Sequence, residues 1–457
     1  MKGFTSFYLP VVAATFFCGA ASYLACPKPL EHGSATFASR EEDAKETKIP
    51  RLFQERSIIE LAIEAPFDRL REESQIAKIL KTPDPEIEAG LSFKDEEGSP
   101  VSTKAKLKLR GNSSIKECDF PKLKLKFESK DNPGHFAGLD EVKINTHCGE
   151  GGLTHLGRFA DEKATLREGI AYEWGQALGL AVSLVRRARI TYIDSDTKQV
   201  ITRLALLIED PGDTAKRLGG KRFRDGQPYP SDAVKTMGWN EIAKARLFEH
   251  LVGNWDWRFD LSTDEGEPED RLQTSRLWNM EIARYADGHE RPMPYDFDMA
   301  SLVSGKPRLT GNLARSAYLA KESELTRYLG WEIVAKSLPI VPRAELRKAR
   351  DHFASKRKEL EGLVKQPYLD SAGVKNAKAH LAAFFELTTD ERLSQPVLLR
   401  KVPGFEKQDR AKDLCFGLQD GSPVRVIERK GEMTKIQYMG LGCDAPEVWV
   451  ESSAIGE

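Results

Sequence analysis

The chain has 457 residues, 40% of them hydrophobic and 30% charged, a globular composition that excludes a collagenous or wholly disordered protein. Its 69 Lys and Arg against 70 Asp and Glu leave no global charge to draw it to nucleic acid or to an anionic surface. The length exceeds what one ordinary core holds, so two or three domains are expected.

Lys2 and the uncharged run from Gly3 to Pro27 predict an export signal, or an anchor if it is not cleaved. Tyr23-Leu24-Ala25-Cys26 approximates a bacterial lipoprotein cleavage box, with Cys26 as the lipidated residue. Residues 27–48 are polar, charged and aperiodic, as a flexible tether would be. Outside this leader four cysteines remain. Cys118 with Cys148 and Cys415 with Cys443 read as two local disulfides of an oxidising compartment. A zinc site using Cys118, Cys148, His147 and His155 is the alternative, without the usual ligand spacing.

The folded part is expected from Ile49. Strands are predicted over Ile58–Ile63, Ala89–Phe93, Ala105–Leu109, Leu123–Phe127 and Val142–Asn145, with a helix over Leu70–Lys81. A helix opens at Thr165 and ends at Gly179; a strand pair follows over Val185–Ile193 and Ile201–Ile208. Beyond Trp239 the pattern is helical: Glu241–Val252, Leu313–Leu319, Leu325–Ala335, Arg343–Leu363 and Val374–Phe385. From Ser394 the chain changes to short β runs with Gly and Pro turns.

Four segments carry residues that packing does not call for. Arg110-Gly111-Asn112-Ser113 at a strand end has the permissive Gly and the donors of an anion cradle, or of a plain turn. Phe120–Phe127 alternates and projects Lys122, Lys124 and Lys126 to one face, where a lysine would meet phosphate or water. Asn254-Trp255-Asp256-Trp257-Arg258 sets a carboxylate between two indoles, as a base or as a partner of Arg258. Tyr295-Asp296-Phe297-Asp298 offers two hard oxygen ligands at i and i+2 for Mg²⁺.

The order of these segments resembles the spore-coat-kinase (CotH-like) family, remote relatives of protein kinases, over roughly residues 55–340. The family's Arg-Gly-Asn-Ser element and lysine strand are matched by Arg110–Ser113 and Lys122–Phe127. Its Arg-led helix ending in Leu-Gly is matched by Leu166-Arg167-Glu168 through Leu178-Gly179, and its strand ending in Glu by Leu206–Glu209. Its Asn-x-Asp, Asn-strand and Asp-x-Asp elements are matched by Asn254–Asp256, Trp278-Asn279-Met280 and Asp296–Asp298. The Gly-rich hairpin usual before the Glu-ending strand is replaced by Lys198-Gln199-Val200-Ile201. The chain also resembles exported bacterial relatives that share Cys118–Pro121 and Thr146–Cys148.

The resemblance implies an α+β fold: a kinase-like domain over 49–365 with a mostly antiparallel N-terminal sheet and a helical C-terminal lobe. A helical linker, 366–394, would lead to a small SH3-like β-barrel over 395–457, which Leu418–Ile427, Thr434–Tyr438 and Val448–Glu451 resemble. It implies Mg²⁺ and ATP as cofactors and Asp256 as the catalytic residue. Arg110, Asn112, Ser113, Lys124 and Glu209 would hold the nucleotide, and Asn279, Asp296 and Asp298 the metal. Lys124 is chosen for its central place. The expected function is phosphotransfer to a protein or cell-wall substrate by an exported envelope protein, held to the membrane by its N-terminal segment or lipid. The alternative is a non-catalytic envelope scaffold binding peptidoglycan or a protein through the SH3-like module.

Overall fold

The computed structural model describes residues 49–129, 131–223, 236–259, 277–307, 323–399, 401–405, 408, 413–418, 422–438 and 447–456. The leader, the tether and Cys26 lie outside this set, as do the expected helix Leu313–Leu319 and the Cys443 and Cys415 side chains. Among the described residues no helix is long and apolar enough to cross a membrane.

Seven strands are the first structural unit: β1 (Ile59–Ala65), β2 (Ile87–Lys94), β3 (Pro100–Leu109), β4 (Leu123–Lys126), β5 (Glu141–Asn145), β6 (Val185–Asp194) and β7 (Val200–Glu209). As expected they pair mostly antiparallel. They also close into a barrel, ordered β1-β2-β3-β4-β5-β7-β6, in which β6 returns to pair with β1 in parallel. The closure has a simple cause in the period of two. Leu61, Ile63, Leu91, Leu107, Leu123, Leu125, Ile144, Ile190 and Leu207 all point inward and form one apolar interior. The lysines of β4 and the residues Lys143 and Asn145 of β5 are thereby left on the outer wall.

The helices include α1 (Phe67–Leu80), α2 (Asn112–Glu117), α3 (Glu162–Ala177), α4 (Pro211–Arg217) and α5 (Trp239–Val252). Helix α3 lies on the outside of the barrel, starting from Asp161, whose side chain caps Lys163 N. Its buried Leu166, Ile170 and Trp174 join Phe248 and Leu251 of α5 in a second core. A three-stranded sheet of β8 (Lys221–Phe223), β9 (Met280–Arg284) and β10 (Glu290–Pro294) borders that core.

Helices α6 (Glu324–Lys336), α7 (Arg343–Ser355), α8 (Arg357–Leu363) and α9 (Ser371–Leu387) complete it. The helix expected over Arg343–Leu363 is broken at Lys356. The segment expected as a linker contributes Ala377, Leu381, Phe384 and Leu387 to the same core. Its N-cap Asp370 takes Arg167 of α3 in a two-pronged pair at 3.1 and 2.8 Å. A five-stranded antiparallel sheet over residues 402–451 follows, with its own core of Leu418, Val424, Ile436, Val448 and Val450. The whole is a mixed α+β fold.

Candidate functional site

The outer wall of the barrel at β4 meets the loop after β10, and the ionisable residues gather there. Arg110 follows β3, and Gly111 turns the chain at φ +82° into α2. A Cβ at Gly111 would stand 3.2 Å from Ser114 Cβ in a backbone conformation that L side chains rarely adopt, so the turn requires glycine. Ser114 Oγ accepts the amide of Lys122 at 2.9 Å, and Arg110 N donates to Lys122 O at 2.9 Å. Lys122 is thus fixed at its backbone from two sides.

Lys122 Nζ lies 2.5 Å from Asp296 Oδ1 and 2.6 Å from Asp298 Oδ2. Alternation puts Lys122 and Lys124 on one face, but only Lys122 sits under the loop that brings the two aspartates. Lys124 pairs with Glu141 at 2.7 Å. The lysine of the carboxylate cluster is therefore Lys122, while Lys124, the one expected at the nucleotide, sits beside Glu141. Burial lowers the Lys122 amine to about 8, opposed chiefly by Asp296 and reinforced by Arg158 and Arg110.

Glu209 is not available to a ligand in the way expected. It is buried, takes Arg217 on both oxygens at 2.9 Å, and accepts Leu184 N and the Thr214 hydroxyl. Its role is to tie the end of β7 to α4. Asn112 is exposed at the head of α2. Ser113 Oγ accepts Arg158 Nη2 at 2.8 Å. Arg110 hydrogen-bonds Asn145 Oδ1 and donates Nε to Leu123 O at 3.2 Å.

Asn145 in turn donates to both carboxylate oxygens of Glu168 on α3 at 2.7 Å. Burial pushes the Glu168 carboxyl up, with Lys122 opposing. Asn145, Arg158 and Glu168 were not singled out for the site in the sequence. Glu168 stands in the Leu166-Arg167-Glu168 stretch that marked the helix, and its placement was the missed signal.

The aspartates come from the opposite side. Helix α5 stops at Gly253, φ +63°. Asn254 then donates to buried Glu249 at 3.0 Å and accepts Asp256 N at 3.1 Å, which shapes the Asp256 turn. Asp256 receives Trp278 Nε1 on Oδ1 at 2.9 Å. Asn279 Nδ2 reaches its carbonyl at 2.7 Å and its Oδ2 at 3.1 Å. Burial and the nearby Asp296 raise the Asp256 carboxyl, against these two donors.

Asp296 and Asp298 do not lie on an extended segment. Asp296 is left-handed at φ +62°, with its amide on Tyr172 OH at 3.2 Å, and Asp298 lies in the 3₁₀ turn Phe297–Met299. Both still face Lys122. Burial would raise the Asp296 carboxyl, but Lys122, Arg110 and Arg158 hold it well below the usual carboxylate range. Asp298 is 7% exposed; Lys122 and the guanidinium of Arg158 both meet its Oδ2, and its Oδ1 is buried without a hydrogen bond.

Arg158 arrives on a short hairpin pairing Gly152–Leu153 with Phe159–Ala160. The hairpin is anchored by the disulfide Cys118–Cys148, one of the two expected, which spends both thiols and removes them as zinc ligands. Thr154 on the hairpin donates to Glu117 of α2 at 2.8 Å.

Among the described residues no three His, Cys, Asp or Glu side chains form a metal cluster. Asp296 and Asp298 meet through Lys122, and Asn279 touches Asp256. Hard oxygens, one of them the buried Asp298 Oδ1 without a hydrogen bond, are the donor chemistry of Mg²⁺, while Lys122 and Arg158 fill the other oxygen. A cavity of about 580 Å³ opens elsewhere, between Arg56–Ile58, Arg189, Leu204 and Gln366–Tyr368, and touches none of these residues.

Comparison with known proteins adds little. No family model matches the chain, and no curated protein does. The Helicobacter pylori proinflammatory kinase CtkA aligns with 60% of this chain and 92% of its own, at 8% identity and a TM-score of 0.31, a likeness too slight to carry an argument.

Proposed function

We propose that the chain is an exported envelope protein whose kinase-like domain transfers phosphate from Mg²⁺-bound ATP to a hydroxyl of a protein or envelope substrate. What carries this reading is the convergence of Lys122, Asp296 and Asp298 on the barrel wall, with Asp256 and Asn279 beside them. Mg²⁺, held by Asp296, Asp298 and Asn279, would neutralise charge on the phosphates. Lys122 and Arg110 pair with phosphate oxygens. Asp256 orients the acceptor hydroxyl and takes its proton; the hydroxyl oxygen bonds to the terminal phosphorus as the bond to the leaving diphosphate breaks. The raised carboxyl of Asp256 suits a proton acceptor better than an ordinary surface aspartate does.

Calorimetry of the full chain with Mg²⁺ and ATP tests the reading. Metal-dependent binding that Asp298→Ala abolishes supports it. No binding by folded, disulfide-intact protein refutes it. It then favours the second reading, a non-catalytic scaffold in which the Lys122–Asp296–Asp298–Arg158 quartet is a structural ion cluster joining barrel to helices. In either reading the leader, with or without lipid on Cys26, holds the protein at the envelope, and the C-terminal SH3-like sheet binds wall polymer or peptide.

A further inference from the structure

The cavity of about 580 Å³ that stands apart from the carboxylate cluster has the size of a small-molecule site. Ile58, Leu204, Pro367 and Tyr368 give it apolar walls, and Arg56 and Arg189 line it with two guanidinium groups. Among the described residues no acidic side chain lines it.

The walls are held from behind. Arg186 of β6 is 3% exposed; it donates Nε to Ser57 O at 3.1 Å and Nη1 to Leu52 O at 3.2 Å, which fixes the segment entering β1. Tyr368, between α8 and α9, lies with its ring centroid 3.8 Å from the guanidinium carbon of Arg187, and its hydroxyl donates to Glu173 at 3.4 Å. Arg187 is locked in turn by both oxygens of Glu173. The aromatic wall is therefore set before any ligand arrives.

The same bonds leave positive charge at the cavity. Glu55, the neighbour that could neutralise Arg56, is taken by Arg186 at 3.1 Å and by the Ser57 hydroxyl at 2.9 Å. Arg56 is exposed and has no hydrogen bond or ion pair among the described residues. Arg189 pairs with Glu60 at 2.7 Å, but both side chains are at least half exposed, and an incoming anion exchanges such a contact at little cost. A guanidinium fork accepts a carboxylate, sulfonate or phosphate through paired hydrogen bonds, and apolar walls cover a hydrocarbon body.

We propose that this cavity binds a small amphipathic anion, an acidic head group on an apolar body, with Arg56 as its main contact for the charge and Pro367 and Tyr368 against the body. None of these residues belongs to the carboxylate cluster, so the proposal stands or falls apart from the phosphotransfer reading.

The test is fluorescence titration of the full chain with anilinonaphthalenesulfonate and with phenylnaphthylamine, which keeps the rings and lacks the acid. Wild type is expected to show a saturable site that takes the sulfonate at least about tenfold more tightly than the amine. Arg56→Gln should weaken the sulfonate at least about fivefold and leave the amine within about twofold. Since Arg56 bonds to no described residue, the variant keeps the fold. Arg425→Gln, which removes an exposed arginine of the C-terminal sheet, should change neither dye. The proposal is overturned by the lack of a saturable sulfonate site in wild type, by equal affinity for the two dyes, or by undiminished sulfonate binding in Arg56→Gln. An equal loss in Arg425→Gln overturns it too, because the effect would then be one of net charge.

Discussion

Replacing Glu249 with Gln is expected to make the protein more stable at neutral and alkaline pH, by an amount that grows with pH. Glu249 is fully buried on α5; one oxygen accepts Asn254 Nδ2 at 3.0 Å and the other has no hydrogen bond. Burial raises its carboxyl to about 8, offset in part by Asn254 and Lys336 and added to by Asp256. The folded state therefore keeps a proton that the unfolded state, near 4.5, has lost. Stability is full below about pH 4.5, falls as pH rises toward the folded value, and levels off above it.

Some 3.5 pH units at about 1.4 kcal/mol each set an upper bound near 5 kcal/mol, of which about 3 kcal/mol should separate pH 5 from pH 8. Gln is neutral, has the same shape and keeps an acceptor for Asn254. Urea unfolding of both proteins at pH 5, 6.5 and 8 measures the difference, and the lysines Lys122 and Lys143, which also titrate abnormally, cancel between them. Parallel stability curves across this range would show that Glu249 is ionised in the folded state and that the argument from its burial is wrong. Because Asn254 links Glu249 to the Asp256 amide, nucleotide binding in the variant reports in addition whether the turn needs only a hydrogen-bond acceptor or a charge.

Two further expectations follow from the packing. Arg187→Met should destabilise by about 3–5 kcal/mol in chemical unfolding, because it leaves Glu173 charged and buried; the pair meets at 2.7 and 3.1 Å with both side chains at most 2% exposed, and Arg187 also lies 3.8 Å from the Tyr368 ring centroid. A Cys118→Ser, Cys148→Ser double variant should lose about 3–4 kcal/mol, the closure entropy of a loop of 30 residues. It should also weaken Mg²⁺–ATP binding, since the bridge joins the segment of Ser113 and Lys122 to the one carrying Asn145 and Arg158; unchanged binding in a folded variant would place the bridge outside the site.

Strict alternation in Leu123–Lys126 and the matched β2 and β3 runs gave the strands and their inward faces, because a period of two is a local property of the chain. Helical spacing over Glu162–Ala177 and Trp239–Val252, and the Cys118–Cys148 pairing, were legible for the same local reasons. The segments that bear Asp256, Asn279, Asp296 and Asp298 stood out because carboxylates framed by aromatics are uncommon, and the fold brings Asp296 and Asp298 together on Lys122.

What the sequence could not decide was which charge meets which. Lys122 and Lys124 are equivalent on a strand; only the loop after β10, folded over one of them, separates the buried lysine from the one paired with Glu141. Glu209, expected at the nucleotide, has Arg217, eight residues later, on both its oxygens. Closure of the barrel depends on β6 meeting β1 across more than a hundred residues, and Arg158 reaches Asp298 across a similar gap. Long-range contacts of this kind are fixed by how the two cores pack against each other, a property of the assembled fold that no local window of sequence contains.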